Sequence, residues 1–442
     1  MAFPFILLPE AARVLNLNQQ LERYESLPAA QQDAIQTQSL QALFLWAHTH
    51  SVFWRDRLDA VGWTPEADTR QILARLPILK RADLQTHFDA LVCAQAFPER
   101  TCVFAQTSGS TGQAVRVVKH EASYFLRYQA FALRCSLWHR LDVSKTLLKH
   151  GARVEDGIAP NWGPPEAWFF ESGPLVLVRS IERDITDMYA PLKQHRPHYL
   201  SANASVAEAL AKFALEHDAH DLPRMEAILL TGESVDEQLR TDCRAAFGAK
   251  IINRYSCEEI GWLALQCPKH EHLHVLSANI LLEIVDADGK PCAPGQPGRV
   301  LITALHSEAM PLIRYDIGDV AEWGEACDCG IQLPVIRRIW GRQREFVRGP
   351  NGELRYIPLL AEDFLKIAPI RDMRLRVYNN PVLRFEIACN DALTSEQRVA
   401  LVAEIHRSLG FECPVEIVEV PEINWGPTDK RLKFAVLDET WN

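Results

Sequence analysis

The sequence predicts an α/β protein in two parts. A large N-terminal domain of layered α/β with a β-rich subdomain spans residues 1–340, and a small C-terminal α+β domain spans 341–442. Three observations predict it. Strand-like apolar runs alternate with helix-period segments from Cys102 to Asn253, the pattern of helices flanking a sheet. The stretch 280–323 is strand-like throughout. At Ile339–Val347 the pattern shifts to a short α/β unit of about 100 residues, the size of a small domain.

Residues 10–90 carry apolar positions at helical spacing (Leu15, Leu21, Tyr24, Leu40, Leu43, Phe44), with turns at Trp54–Arg57 and Pro77–Lys80. Cys102–Ala105 reads as a strand, and the polar stretch Thr107–Gly112 reads as a tight loop leaving it. Val115–Val118 supplies the second arm of a hairpin, and residues 121–140 follow as a helix. Further helices are expected at 184–195, 204–217 and 236–247. Ala227–Leu230 and Lys250–Asn253 are strand-like, ending in Thr231-Gly232-Glu233 and in Arg254–Glu259. Asp288-Gly289 marks a hairpin turn between Leu281–Val285 and Gly298–Thr303. Three charges crowd Arg314–Asp319, so this segment is read as a site-forming turn. In the last part Leu375–Tyr378, Leu383–Ala388 and Val415–Val420 read as strands, and 394–408 as a helix.

Bulk properties exclude several function classes. A net charge of −10 leaves no electrostatic footprint for nucleic acid or for anionic lipid. No apolar run approaches the roughly 18 residues of a membrane span. Met1–Leu8 lacks the basic start of a signal peptide, so a cytoplasmic location is expected. Eleven cysteines, mostly scattered singly, argue against a disulfide framework.

The loop Thr107–Gly112 holds Thr107, Ser108, Gly109, Ser110, Thr111 and Gly112. Glycines let backbone N–H groups crowd an anion, and the hydroxyls add donors, a composition that suits polyphosphate. It suits a Ser/Gly-rich surface turn equally well, and with no lysine after its second glycine it is not a Walker A loop. Gly232, Glu233, Tyr255 and Glu259 fall at C-terminal ends of strands, where open α/β sheets bind ligands. Either carboxylate taken alone equally fits a helix N-terminus. The cations of Gly426–Phe434 fit a solvated basic turn.

In this order the pieces resemble the adenylate-forming superfamily of acyl-CoA synthetases, peptide-synthetase adenylation domains and luciferases. The nearer likeness is to the phenylacetate-CoA ligase branch, with its capsular-polysaccharide adenylyltransferase-like and coenzyme F390 synthetase-like members. The motifs are Thr107–Gly112, Thr231–Glu233, Tyr255–Glu259, Tyr315–Asp319, Gly341–Glu345 and Lys430. The resemblance implies an ATP-dependent ligase that activates a carboxylic acid, expected to be aryl, as an acyl-adenylate and passes it to a thiol. CoA is the default acceptor, and a phosphopantetheine carrier protein or an amine are alternatives. A hydroxyl-directed adenylyltransferase of the F390 synthetase type and a degenerate nucleotide-binding protein remain open, as does a homodimer.

By position, the resemblance implies that the hydroxyl loop holds the β,γ-phosphates and that Glu259 helps place Mg²⁺. It puts Gly232, Glu233 and Tyr255 beside the adenine, Asp319 on the ribose hydroxyls and Arg342 on the ribose or phosphate side. Lys430, with Lys433 as the alternative, brings positive charge to the α-phosphate and acyl oxygens. The C-terminal domain would then be a mobile lid pivoting near Glu345. The chain departs from the pattern in three places: Glu258 stands where a hydroxyl is usual, Asp316 where an arginine is usual, and the loop lacks its trailing lysine. The acid pocket is expected around His150, Trp168–Phe170, Ser201–Asn203 and Thr231.

Cys267, the run His270, His272 and His274, and the pair Cys327 and Cys329 flank the β-rich region. Thiolate and imidazole ligands suit tetrahedral Zn²⁺, and some members of the resembling branch carry such a pair of clusters. Cys267, His274, Cys327 and Cys329 are the expected ligands of a structural zinc, with His270 or His272 as alternatives to His274. A reduced, metal-free loop is the competing reading.

Overall fold

The computed structural model describes residues 8–98, 101–106, 115–151, 154–180, 183–217, 222, 224–342, 346–348, 354–356, 364, 366–377, 382–389, 391–409, 411–423 and 434–436. The chain divides into two compact units, Met1–Ile339 and Trp340–Asn442.

Six helices open the first unit: α1 (Pro9–Glu25), α2 (Ala29–His50), α3 (Val52–Ala60), α4 (Thr69–Arg75), α5 (Arg81–Thr86) and α6 (Phe88–Leu91). Local chemistry starts them. Proline occupies the first turn of α1, Ser51 caps α3, and the Asp68 carboxylate accepts the Arg70 and Gln71 N–H groups at the head of α4. The strands β1 (Cys102–Gln106) and β2 (Arg116–His120) then pair antiparallel with Gln106 opposite Arg116, the hairpin read around the hydroxyl loop.

The rest of the unit is one sheet of twelve strands flanked by helices. In chain order come α7 (Glu121–Trp138), β3 (Leu147–Gly151), β4 (Gly157–Ala159), α8 (Glu166–Phe169), β5 (Leu175–Arg179), α9 (Ile185–His195), β6 (Tyr199–Asn203), α10 (Ala204–Glu216), β7 (Ala227–Thr231), α11 (Glu237–Phe247) and β8 (Lys250–Cys257). The strands β9 (Gly261–Gln266), β10 (Leu273–Val275), β11 (Ile280–Val285), β12 (Gly298–Ala304), β13 (Tyr315–Trp323) and β14 (Val335–Arg342) complete it. The spatial order is β11-β12-β13-β14-β10-β9-β8-β7-β6-β3-β5-β4.

From β5 through β3, β6 and β7 to β8 the strands are parallel. Both faces of such strands are covered, so β7 reads as a continuous apolar run, Ala227–Leu230, rather than an alternating one. One face packs Leu200, Ile228 and Leu230 against Leu192, Leu210 and Phe247 of α9, α10 and α11. The other packs Tyr199, Leu229 and Ile252 against Val14 of α1 and Phe131 of α7. The opening helices α2–α5 cover the antiparallel strands β11–β13. Helix α11 shows how sequence sets its ends: Asp236 accepts the Leu239 N–H at its start, and Gly248 leaves it at φ +65°.

One expectation differs from the structure. The segment Tyr315–Asp319 is the start of strand β13, not a turn; its charged residues sit in a bulge, where a two-residue step on β12 faces a four-residue step on β13. Gly318, at φ +78°, lies in that bulge, a backbone state that glycine adopts without strain. The Asp288-Gly289 turn is present as read, between the antiparallel pair β11 and β12, with Asp286 accepting the Asp288 and Lys290 N–H groups.

The second unit holds a four-stranded sheet of order β19-β18-β17-β20, after a small hairpin of β15 (Phe346–Arg348) and β16 (Leu354–Tyr356). Its strands are β17 (Ile370–Val377), β18 (Leu383–Cys389), β19 (Val415–Glu419) and β20 (Phe434–Val436). Leu401, Ile405 and Leu409 of the helix Ser395–Leu409 pack against Leu375, Phe385 and Ile387.

Candidate active site

Strand order places the first group of residues. The chain runs from β3 to β5 on one side, then α9 carries it across to β6 on the other, so the order reverses between β3 and β6. Side chains at the C-terminal ends of strands around such a reversal line a crevice. Lys149 lies opposite Ser201, Asn203 opposite Thr231, and Thr231 opposite Arg254. The Arg254 guanidinium donates to the Ser201 hydroxyl at 3.0 Å and to the Leu229 carbonyl at 3.1 Å, tying three strand ends together. Gly232 has φ +84°, and a Cβ there would stand 3.2 Å from the Asn203 side-chain oxygen. The Glu233 carboxylate accepts the Ser205 N–H at 2.6 Å and the Ser205 hydroxyl at 3.1 Å, so it sits at the N-terminus of α10, a favourable end for negative charge.

The second group comes from β8, β13 and the turn after β8. Tyr255 donates its hydroxyl to Asp319 at 2.7 Å, and Tyr315 donates to Glu259 at 3.0 Å. All four residues are buried. Bulges aim them: between Tyr255 and Ser256 one step on β8 faces two on β9, and Asp319 follows the β13 bulge. The Thr231 and Ser256 hydroxyls meet at 3.2 Å, linking the two groups. Asp316, the residue standing in place of an arginine, is taken up locally, accepting the Gly318 N–H at 2.9 Å and pairing with Arg299 at 3.5 Å. Burial, more than these partners can offset, pushes its carboxyl above the usual range. Glu258, the other acidic departure, is exposed.

Beside Glu259 opens a cleft walled by Tyr124, Tyr128 and Phe131 of α7 and by Trp262 of β9. Trp262 and Tyr128 face each other at 5.3 Å. Lys119, Arg127 and His306 add polar groups to the lining. Arg127 donates to Ser123 at 2.8 Å and to the His306 carbonyl at 2.7 Å. Trp168 and Phe169, expected in the acid pocket, are partly buried beside α7, with Trp168 edge-on to Phe125 at 6.1 Å, and do not line this cleft; His150 is buried within β3. The sequence held a signal for the walls that was passed over: Tyr124, Tyr128 and Phe131 recur at helical spacing on one face of α7. The Thr107–Gly112 loop, Glu345, Lys430 and Lys433 lie outside the described residues. Arg342 ends β14, with only its backbone described.

The sequence profile of AMP-binding enzymes matches residues 28–306, more than half of the chain. The chain belongs to the AMP-binding enzyme family. This is the adenylate-forming superfamily that the motifs resemble. Among curated relatives, this AMP-binding enzyme is 28% identical to the phenylacetate-coenzyme A ligase of Thermus thermophilus over 343 residues, covering 74% of each chain. It is 20% identical to Protein CapK of Staphylococcus aureus over 71% of this chain and 68% of that protein. In structure it resembles 2-hydroxyisobutyryl-CoA ligase in its postadenylation state with 2-HIB-AMP, at a TM-score of 0.73, 18% identity, and 95% and 92% coverage of the two chains. No helix among the described residues is long and apolar enough to cross a membrane.

Away from the cleft, the same AMP-binding enzyme brings Cys267, His274, Cys327 and Cys329 together, their ligand atoms all within 4.8 Å of one another. Cys267 follows β9, His274 is central in β10, and the Cys327–Cys329 pair lies in the loop between β13 and β14, the strand beside β10. The Cys267 and Cys327 sulfurs are 3.8 Å apart, and Cys329 Sγ is 3.3 Å from His274 Nε2. A tetrahedral zinc with ordinary bond lengths needs edges of about 3.8 Å between sulfurs and about 3.5 Å from sulfur to nitrogen, so the donor set fits. His274 Nδ1 faces the Leu333 carbonyl at 3.3 Å, which leaves Nε2 as the ligating atom. Backbone N–H groups of Lys269, Cys329 and Ile331 point at the three sulfurs at 3.4 Å. Burial holds His274 down to about 4, the neutral form a metal requires, and pushes the Cys329 thiol up to about 12. Of the other histidines, His270 pairs with Asp328 at 2.6 Å and His272 stacks on His270.

Proposed function

We propose that this enzyme is an AMP-forming acid–CoA ligase acting on an aromatic carboxylic acid. The carrying observation is the juxtaposition of a bulge-positioned polar set with an aromatic cleft that shares Glu259 as a wall. The acid lies in the cleft, its ring against the aromatic wall of Tyr124, Tyr128 and Trp262, and its carboxylate attacks the α-phosphorus of ATP with departure of pyrophosphate. Asp319, held by Tyr255, accepts from the ribose hydroxyls; Glu233 and Gly232 border the adenine. Glu259, oriented by Tyr315, offers a hard oxygen ligand for Mg²⁺, which when bound neutralises charge on the phosphates. The CoA thiol then attacks the acyl carbon and AMP leaves. The Thr107–Gly112 loop, Arg342 and Lys430 keep the phosphate and ribose roles that the family resemblance assigns, and the C-terminal unit from residue 341 that of a lid. Zinc held by Cys267, His274, Cys327 and Cys329 is structural: four protein ligands leave no position for water.

Pyrophosphate release from MgATP, followed across aryl, aliphatic and amino acids with and without CoA, tests the reading. The expected result is release with aryl acids that rises when CoA is added. Release indifferent to CoA would replace it with a carrier protein or an amine as acceptor.

A further inference from the structure

Lys119 lines the acid cleft, and its position as the penultimate residue of β2 attaches it to no family motif described above. Its side chain is buried, with 8% of the residue exposed. The ammonium donates to the backbone carbonyl of Glu258 at 2.6 Å and sits 4.0 Å from the Tyr124 ring centroid. Tyr124 is kept under it by Gly261, where an added Cβ would stand 3.2 Å from the ring. Among the described residues no carboxylate forms an ion pair with Lys119. An ammonium has three donors, and one carbonyl uses one of them. Burying a cation without a counter-charge is costly, and burial indeed holds Lys119 below the usual lysine range, against the pull of Glu258 and Glu259. Arg127, a half-buried cation of the same cleft, already spends donors on Ser123 and on the His306 carbonyl.

We propose that Lys119 is the specificity-determining cation of the cleft, receiving the carboxylate of an aromatic monocarboxylic acid and orienting it beside Glu259. This rests on the ligase reading for the chemistry that follows, but the recognition itself is a binding event. The ammonium stands one residue from Glu259 through the Glu258 carbonyl, at the point where the aromatic walls begin. A carboxylate there completes the ion pair, and the attached ring continues against the wall formed by Tyr124, Tyr128 and Trp262. The site would therefore take the acid and refuse its neutral amide.

Binding of phenylacetate and benzoate, each against its amide, is measured by intrinsic tryptophan fluorescence without ATP, in the wild type, Lys119→Met and Lys119→Arg. The expected result is a preference for the acid of about 10- to 100-fold in the wild type, the size of a charge-assisted contact. It should fall close to one in Lys119→Met and be largely kept in Lys119→Arg. In steady state the acid KM should rise in Lys119→Met while the ATP KM stays put. No acid preference in the wild type, or a preference that survives Lys119→Met, overturns the proposal. So does a parallel rise of both KM values, which would make Lys119 a brace for the Glu258 turn. Pyrophosphate release is scored separately: its absence with every acid sinks the ligase reading while the acid-over-amide preference still decides on Lys119.

Discussion

Two tyrosines each orient one carboxylate. Tyr255 donates its hydroxyl to one oxygen of Asp319 and so helps to fix the carboxylate's orientation. Tyr315 does the same for Glu259, whose other oxygen is the one offered to a cation. On the proposed reading the carboxylates touch the reactants, whereas the tyrosines act through them. Replacing Glu259 by Gln removes the charge and should lower the adenylation rate by at least about 100-fold, in line with losses of charge-stabilising groups in transition states. Tyr315→Phe removes one hydrogen bond and should cost only about 3- to 10-fold. Pyrophosphate release across a Mg²⁺ titration checks both: the Gln variant should need more Mg²⁺ and the Phe variant scarcely more. Equal losses in the two would make Tyr315 a reactant-touching group.

At the scale of elements, long periodic stretches were legible and bulges were not. Helices 184–195, 204–217 and 236–247 are seen at Ile185–His195, Ala204–Glu216 and Glu237–Phe247, because their apolar spacing and caps are written in consecutive residues. Arg314–Asp319 misled because a charged run in a strand is tolerable only where a bulge lifts it out of the ladder, and the extra residues of β13 are counted against β12, a partner distant in sequence. Trp168–Phe170 and Tyr124–Phe131 are both aromatic stretches, and which of them lines the cleft beside Glu259 depends on contacts between elements distant in sequence, Trp262 of β9 among them. The Cys–His cluster was legible by chemistry, yet the choice among three histidines depended on β10 lying between β9 and β14. We expect about one equivalent of zinc by elemental analysis in the purified protein, lost in Cys329→Ala together with a fall in Tm of several degrees or more. A metal-free wild type with an unchanged Tm after chelation would remove zinc from the account.

For the whole molecule, buried histidines set a limit on acid stability. His139 and His150 are both held down to about 4, chiefly by burial, against an ordinary value near 6.5. Each is neutral in the folded chain and takes up a proton more readily when unfolded, so stability is full above about pH 6.5 and declines as pH falls towards 4. Together they account for a loss on the order of a few kcal/mol, which urea unfolding at pH 7.5, 6 and 5 would register as a falling midpoint. A midpoint flat from 7.5 to 5 would mean that these rings find compensating contacts when charged.

The central claim is that a carboxylate oxygen of the substrate becomes bonded to the α-phosphorus. Carboxyl-¹⁸O-labelled phenylacetate or benzoate, turned over with MgATP and CoA, tests it by mass spectrometry of the nucleotide product. The account predicts AMP carrying one ¹⁸O atom and an unlabelled pyrophosphate. Unlabelled AMP, with turnover demonstrated, would show that the acid never attacked phosphorus and would contradict it.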